Sequence, residues 1–338
     1  MSKVLGGLAA SRVLPLVAVI VVASLVLSWI TPNFLTTSNL KTVVIGDVSA
    51  AIVVIGQTLL LVCGVLDLSV GGVLALCGTL GAWLATHGVP GLLAMVLAVA
   101  AGGLIGALNG VIVAWLRVNP LIATLGTGSV ATGLALVMTE GYNISGLPSS
   151  MTGLGDRGLL GLPWIVWIAA VLVLVGDLCL RWTRLLRQLY FIGGNERAAY
   201  LSGIRVRRMR FLAYVLSGGL AACAGVLLAA RLNTAVPTAG GDLPLTSIAA
   251  AVIGGSSLTG GEGTVVGAAL GVFFLSLITN ALTILGVSIY WQTVATGLVL
   301  VLVVSIDMLL RGRGAMVARL LLPLRKGPFH ARTQPRAD

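Results

Sequence analysis

The sequence predicts an all-α polytopic membrane protein with about ten transmembrane helices, one of them short or broken. Two observations support this prediction: 58% of the 338 residues are hydrophobic and only 9% are charged. Soluble domains carry roughly 25% charged residues, so most of this chain must be surrounded by lipid. The apolar residues form unbroken blocks rather than the period-two alternation of a β-barrel, which leaves a helix bundle as the predicted architecture.

Ten apolar blocks are candidate spans, and most of them approach the roughly 20 residues that a helix needs to cross about 30 Å of hydrocarbon. The first block follows Lys3 and Arg12, as in a signal peptide. It is long for such a segment and the rest of the chain is equally apolar, so we interpret it as a retained helix. The predicted spans are 13–30, 42–62, 69–86, 91–115, 120–139, 161–180, 211–230, 246–256, 264–285 and 289–310.

The basic residues predict the orientation of these spans. With a cytoplasmic N-terminus, 18 of the 21 Lys and Arg residues lie in the predicted internal segments. Only Lys41, Arg157 and Arg231 fall outside. This asymmetry is the pattern of the positive-inside rule, and it places both termini in the cytoplasm. We expect one permease domain over 1–310, with a cytoplasmic loop at 181–210, and a basic cytoplasmic tail over 311–338. The tail is expected to anchor to anionic membrane lipid, and no nucleic acid is expected as a partner.

The span at 246–256 is too short to cross a bilayer fully, and five glycines follow it between 254 and 263. A half-helix followed by a glycine-rich turn is typical of transporters, which use irregular backbone beside a path lined by protein. A plain short helix with a mobile loop is the alternative.

The sequence argues against an enzyme and against a nucleotide site in this chain. The three lysines, Lys3, Lys41 and Lys326, all lie outside a phosphate-binding loop pattern, and the two histidines form no metal or catalytic cluster. Proton or sodium coupling would require ionisable groups deep in the membrane. The candidate aspartates lie near span ends, where a carboxylate can reach water or an arginine; they are Asp47, Asp67, Asp177 and Asp307. The energy source is therefore expected to be a separate subunit.

A short capped helix is predicted within the 181–210 loop. Asn195 is suited to cap its first turn, Glu196 to complement the helix dipole, and Gly203 to terminate it. Tyr200 and Leu201 would be apolar anchors in a partner ATPase. A solvated connector on lipid headgroups is the alternative. The predicted ATPase-coupling residues are Gly194, Asn195, Glu196, Arg197, Ala198, Ala199, Tyr200, Leu201 and Gly203.

Four ordered motifs carry a resemblance to a known family. They are Leu66-Asp67-Leu68-Ser69-Val70-Gly71, the segment from Asn119 to Thr127, the segment from Gly193 to Glu196 leading to Leu201-Ser202-Gly203-Ile204, and the segment from Ile248 to Gly263. Together these motifs resemble the ribose and simple-sugar permeases of bacterial ABC importers, from about Asn39 to Asp307. Val65 stands where that family usually has glycine. Arg197 stands where alanine is common in the coupling motif of the wider superfamily.

The resemblance implies a multi-pass permease of the bacterial inner membrane that passes a small sugar, of pentose or hexose type, into the cytoplasm. It implies a second permease copy or a similar permease as dimer partner, ABC ATPase subunits that bind ATP and Mg, and a periplasmic or lipid-anchored sugar-binding protein. No cofactor is expected in this chain. Wider relatives carry nucleosides or other small polar solutes, which stay open as substrates, as does an ion-coupled secondary transporter. A membrane scaffold that transports nothing is a third class.

Polar residues inside the predicted spans are candidates for the translocation path, because hydroxyls, amides and carboxylates can exchange hydrogen bonds with a sugar. Each of them could equally form an ordinary hydrogen bond between helices. The candidates are Gln57, Asp67, Ser69, Asn109, Thr124, Thr127, Asn280 and Gln292.

Overall fold

The computed structural model describes residues 2–156, 158–299, 301–302 and 305. For residues 2–12 only the backbone is described. The basic tail predicted over 311–338, Arg157 and Asp307 therefore lie outside the described residues.

The described chain is a bundle of α-helices joined by short turns. The helices are α1 (Ser2–Ile30), α2 (Thr37–Gly46), α3 (Val48–Val62), α4 (Val70–Thr86), α5 (Gly91–Ala114), α6 (Pro120–Thr139), α7 (Ser149–Asp156), α8 (Trp164–Trp182), α9 (Gln188–Gly194), α10 (Glu196–Leu201), α11 (Val206–Leu232), α12 (Leu243–Ile253) and α13 (Val265–Ile284). Residues 289–299 are also helical. Each of the first nine predicted spans thus coincides with a helix or with a pair of consecutive helices, and the tenth is helical over its described part, 289–299.

Six helices in the described part of the chain are long and apolar enough to cross a membrane: residues Val13–Ile30 of α1, and α5, α6, α8, α11 and α13. A seventh span is formed if α2 and α3, which meet at a bend of 45°, cross together. Helices α4 and α12 are apolar but shorter. The structure therefore confirms an all-α multi-pass architecture, while the full count of ten crossings stays a prediction.

Helix α11 lies at the centre of the bundle and packs on α3, α4 and α5. Its backbone comes so close to α5 that a Cβ added to Gly106 would lie 2.2 Å from the carbonyl oxygen of Tyr214. A Cβ added to Gly218 would lie 2.3 Å from the carbonyl oxygen of Gly102. Small residues allow this close approach. The resulting van der Waals packing holds the helices together, because lipid provides no hydrophobic drive for their association.

Two small antiparallel strand pairs connect the helices. Strand β1 (Ile144–Ser145) pairs with β4 (Thr234–Ala235), and β2 (Gly158–Leu159) pairs with β3 (Leu162–Pro163). The apolar pattern of the sequence did not predict these strands or α7. Burial of Met151 attaches α7 to the bundle.

Two partly buried turns interrupt the helical regions. The first, residues 63–69, joins α3 to α4, and the second, residues 254–264, joins α12 to α13. We call them the 63–69 turn and the 254–264 turn. The second turn follows an 11-residue helix and contains four glycines with positive φ: Gly255, Gly260, Gly261 and Gly263. The predicted half-helix with a glycine-rich turn is therefore confirmed as a local structure.

Candidate functional site

The 63–69 turn is held by a buried carboxylate. Asp67 is 1% exposed and accepts three hydrogen bonds. Ser69 donates its backbone N–H at 2.9 Å and its hydroxyl at 2.5 Å to one carboxylate oxygen. Ser217 of α11 donates its hydroxyl to the other oxygen at 3.1 Å. The expectation that a carboxylate at this position reaches water or an arginine is wrong for Asp67, because the turn folds it into the bundle, where hydroxyls are its partners.

Further helices close this polar cluster. Asn109 of α5 donates its amide to the Ser69 hydroxyl at 2.9 Å. Thr124 of α6 accepts the backbone N–H of Leu68 at 2.9 Å, and its own hydroxyl bonds the Pro120 carbonyl. Four of the predicted path residues thus lie in one cluster, contributed by the 63–69 turn, α5 and α6. The side-chain oxygen Oδ1 of Asn109 is buried without a hydrogen-bond partner.

The other predicted path residues lie elsewhere. Gln57 of α3 is fully buried, and neither of its amide atoms has a hydrogen-bond partner. Thr127 donates to the Thr124 carbonyl at 3.2 Å. Asn280 of α13 exchanges two hydrogen bonds with Asn39 of α2, at 2.8 and 2.9 Å. Gln292 bonds the Val287 carbonyl at 2.9 Å. The hydrogen bonds of Asn280 and Gln292 are thus an interhelical pair and a turn contact, away from the Asp67 cluster.

The 254–264 turn contacts α9 through backbone atoms. Gly261 donates its N–H to the carbonyl of Val62, the last residue of α3, at 2.9 Å. Gly193 of α9 lies directly beside this bond: a Cβ added to it would lie 2.0 Å from the Val62 oxygen and 2.4 Å from the Gly261 nitrogen. Tyr190 of α9 donates its hydroxyl to the Gly263 carbonyl at 2.7 Å. Burial raises the pKa of Tyr190 to about 12, so this donor stays protonated at neutral pH. Helix α9 therefore meets the ends of both turns.

The predicted capped helix in the 181–210 loop is confirmed as α10. The side chain of Asn195 accepts the N–H of Ala198 at 3.0 Å, which satisfies a free donor of the first turn. Gly203 has φ +82 just beyond the last turn. Ala199 is buried, whereas Tyr200 and Leu201 are 71% and 77% exposed. Two large apolar side chains at one helix end are thus presented to the surroundings.

An ion pair that the sequence analysis missed joins α10 to α11. Arg210 donates from both terminal guanidinium nitrogens to the two carboxylate oxygens of Glu196, at 3.0 and 2.6 Å. The guanidinium also lies beside Cys63, at the start of the 63–69 turn. Fourteen residues separate the ion-pair partners, so no local spacing indicated that they would meet.

Two further aspartates are also paired. Asp177 bonds Arg181 one turn later at 2.7 Å, as expected for a carboxylate near a helix end. Asp47 accepts a hydrogen bond from Ser276 of α13. Among the residues that the structure describes, no group of three His, Cys, Asp or Glu side chains could hold a metal ion.

Comparisons with known proteins identify the family. A family profile described as branched-chain amino acid transport system / permease component matches residues 39–304. The ribose import permease protein RbsC of Escherichia coli (strain K12) is 40% identical over 86% of this chain and 92% of its own length. RbsC of Bacillus subtilis (strain 168) is 37% identical over 84% of this chain and 88% of its own length. The D-allose transport system permease protein AlsC of E. coli K12 is 34% identical over 82% of this chain and 85% of its own length. No solved structure matches the chain.

The matched residues cover α2 to the helix at 289–299, so they include both turns and α10. The chain therefore belongs to the branched-chain amino acid transport system / permease component family, and it is a multi-pass membrane permease subunit of an ABC importer, a transport component rather than an enzyme.

Proposed function

We propose that this permease passes a small sugar of pentose or hexose type from an external binding protein into the bacterial cytoplasm. Support comes from the relatives described above, which are permeases for ribose and for D-allose. Another relative, from Klebsiella pneumoniae, is an autoinducer 2 import system permease at 35% identity. The substrates of these relatives thus have in common that they are small polar solutes. A nucleoside is a substrate to be tested alongside the sugars.

The exposure of Tyr200 and Leu201, on a helix that also contacts the bundle interior, is the observation that supports coupling to an ATPase. A six-residue helix has little stability of its own. Here Asn195 caps it and Glu196 bonds Arg210, so its N-terminal end is held in position while the apolar side chains at its other end stay uncovered. We propose that these side chains bind a groove of a separate ATPase subunit, which supplies ATP and Mg.

The proposed orientation has both termini and the 181–210 loop in the cytoplasm, with ten crossings. Two pairs of neighbours support a common external end. Lys41 lies beside Gly161, and Arg231 lies beside Gly155. Lys41, Gly155 and Arg231 fall in segments predicted to be external from the charge distribution, and Gly161 begins the predicted span 161–180 at its external end. Inner-membrane lipid surrounds the bundle, and a second permease copy or a similar permease completes the complex.

The proposed path runs past the cluster of Asp67, Ser69, Asn109 and Thr124. Buried polar atoms normally have partners, and the two amide atoms of Gln57 and Oδ1 of Asn109 have none in the single chain. Unpaired groups of this kind could bond a passing sugar or a residue of the second permease. Thr127, Asn280 and Gln292 complete the candidate set with weaker support, because local contacts already occupy them.

Reconstitution in liposomes tests the proposal. The chain is purified with an ATPase subunit and a sugar-binding protein of the same importer, and uptake of radiolabelled ribose, allose and uridine is measured with and without internal ATP. We expect ATP-dependent uptake of a sugar. Uptake driven by a proton or sodium gradient in liposomes that contain only this chain would instead show a secondary transporter.

Thiol labelling tests the orientation independently. A single cysteine introduced at the exposed Arg197 should react with a membrane-impermeant maleimide only after the cells are opened. Labelling on intact cells would place the 181–210 loop outside and contradict the proposed coupling. A scaffold function would be indicated if substitution of Glu196 and Gly203 left uptake unchanged at normal expression.

A further inference from the structure

One face of α11 carries three polar side chains, each bonded to a residue outside the helix. Arg210 bonds Glu196 of α10, the Tyr214 hydroxyl donates to the Leu66 carbonyl at 2.8 Å, and Ser217 donates to Asp67. The positions are spaced by four and then three residues, so they lie on one stripe of the helix. We call Arg210, Tyr214 and Ser217 the α11 stripe.

The α11 stripe runs from a partly exposed end into the buried interior. The Arg210 side chain is 20% exposed, whereas Tyr214 and Ser217 are 0% and 1% exposed. Seven residues of helix rise span about 10 Å. Over that distance a single helix contacts α10 at one point and the 63–69 turn at two points.

Close packing favours movement of α11 as a rigid unit along this stretch. The backbone of α11 contacts α5 closely at Tyr214, beside Gly106, and at Gly218, beside Gly102. A Cβ added to Gly56 of α3 would lie 2.7 Å from the Cα of Ser217. Densely packed interiors are not continuously deformable. A displacement applied at Arg210 is therefore passed along the helix rather than absorbed by local bending.

The ion pair itself is suited to positioning more than to stability. Glu196 is 55% exposed, and half-exposed ion pairs contribute little to folding free energy. The two parallel hydrogen bonds of the guanidinium nevertheless fix the relative orientation of the two helices.

We propose that the α11 stripe transmits movement of α10 to the 63–69 turn, with Arg210 as the positioning residue that joins the two. The proposal rests on the proposed function, in which an ATPase moves α10. Closure of the ATPase pulls Glu196, the pair displaces α11, and the bonds from Tyr214 and Ser217 move Leu66 and Asp67. The Asp67 cluster is thereby opened or closed in step with ATP.

Cys63 provides a native reporter of this movement because it begins the 63–69 turn and is fully buried. In a variant with Cys77, Cys179 and Cys223 replaced by alanine, Cys63 is the one cysteine left of the four in this chain. The complex with its ATPase and binding protein is placed in nanodiscs. The rate of maleimide labelling of Cys63 is then measured with and without ATP plus vanadate, which traps the closed ATPase. We expect the rate to change roughly fivefold or more, the lower range of typical allosteric couplings.

Arg210→Ala should abolish this ATP-dependent change while the ATPase still co-purifies. Arg207→Ala removes an exposed arginine of the same helix and serves as the matched control, which should retain the change. If Arg210→Ala does not fold, Glu196→Gln weakens the same pair from its exposed side. The double variant should be no worse than the more affected single variant, because both act on one contact.

Three results would overturn the proposal: no ATP-dependent labelling in the parent complex, an unchanged response in Arg210→Ala and Glu196→Gln, or an equal loss in Arg207→Ala. Failure of any ATPase to co-purify with the unaltered chain would instead contradict the proposed function. Co-purification and labelling thus report on the two proposals separately.

Discussion

The two partly buried turns of this permease are held by different means. Side chains hold the 63–69 turn: Asp67, Ser69 and Tyr214 form directed hydrogen bonds with the turn or within it. The 254–264 turn is packed by backbone, since Gly261 bonds the Val62 carbonyl and Gly193 of α9 leaves room for that bond. Both turns nevertheless adjoin the 181–210 loop.

This difference indicates which substitutions each turn tolerates. Each hydrogen bond removed from a turn that is held by such bonds lowers the free energy of unfolding, while the turn can keep its shape. A turn packed by backbone loses its folded shape when a side-chain atom is added inside it, because backbone atoms cannot move aside as a flexible side chain can. The predictions below test this contrast.

Gly193→Val should have the largest effect. Its Cβ would lie 2.0 Å from the Val62 oxygen and 2.4 Å from the Gly261 nitrogen, both backbone atoms. We expect destabilisation of more than about 3 kcal/mol, at the upper end of overpacking effects, and loss of most folded protein. Fluorescence-detected size exclusion of the solubilised protein over a temperature series measures this loss.

Gly194→Ala is the matched control for Gly193→Val. A Cβ at Gly194 would meet nothing within 4 Å, so stability should stay within about 0.5 kcal/mol of the parent. Equal thermal stability of Gly193→Val and Gly194→Ala would show that the 254–264 turn can shift, and the contrast between the turns would be lost.

Asp67→Asn tests the turn held by side chains. One carboxylate oxygen becomes an NH₂ group, which cannot accept the bonds now donated by Ser69 or by Ser217. We expect a loss of about 1–3 kcal/mol, the penalty for leaving a buried donor unpaired. The apparent melting temperature and ATP-dependent ribose uptake should both fall, while the exposed Asp156→Asn leaves both unchanged. Normal stability with abolished uptake would mean that Asp67 acts on the solute rather than on the fold.

The sequence predicted the elements of this fold well because lipid imposes a strong constraint. The first nine apolar blocks and the described part of the tenth correspond to helical regions, since a buried backbone must bond internally. The cap by Asn195 and the end at Gly203 were also predicted, because capping depends on neighbours in sequence. Helix α7 and the strand pairs were missed, since two-residue strands carry no periodic pattern.

The candidate site was predictable only in part. Asp67 and Ser69 share one motif, but their partners Asn109 and Ser217 lie 40 and 150 residues further along the chain than Ser69 and Asp67 respectively. Nothing in the local sequence indicates such pairs. The spacing of Arg210, Tyr214 and Ser217 on one helical face was a signal that could have found the α11 stripe. The role of Gly193 depends on a contact among three segments and has no counterpart in local sequence.

Tyr214→Phe and Tyr190→Phe compare one hydrogen bond at each turn. Each variant removes a single hydroxyl, from the Leu66 carbonyl in the first case and from the Gly263 carbonyl in the second. We expect losses of about 0.5–1.5 kcal/mol, with Tyr214→Phe the larger because its surroundings exclude replacement water. Thermal stability of the two purified variants measures the difference. A larger loss in Tyr190→Phe would show that the 254–264 turn depends on this bond as much as on its packing.

Ser256→Ala should have the smallest effect and is the sharpest test of the contrast. The Ser256 hydroxyl in the 254–264 turn is buried and has no hydrogen-bond partner, whereas the Ser69 hydroxyl bonds both Asp67 and Asn109. Because the unpaired hydroxyl contributes no bond, its removal should change stability by less than about 0.5 kcal/mol, in either direction. Ser69→Ala, the same chemical change in the other turn, should lower the melting temperature clearly. If Ser256→Ala keeps full stability but slows ATP-dependent sugar uptake, its hydroxyl finds its partner only in the moving solute or in a second conformation, and the 254–264 turn then has a role in transport that packing does not explain.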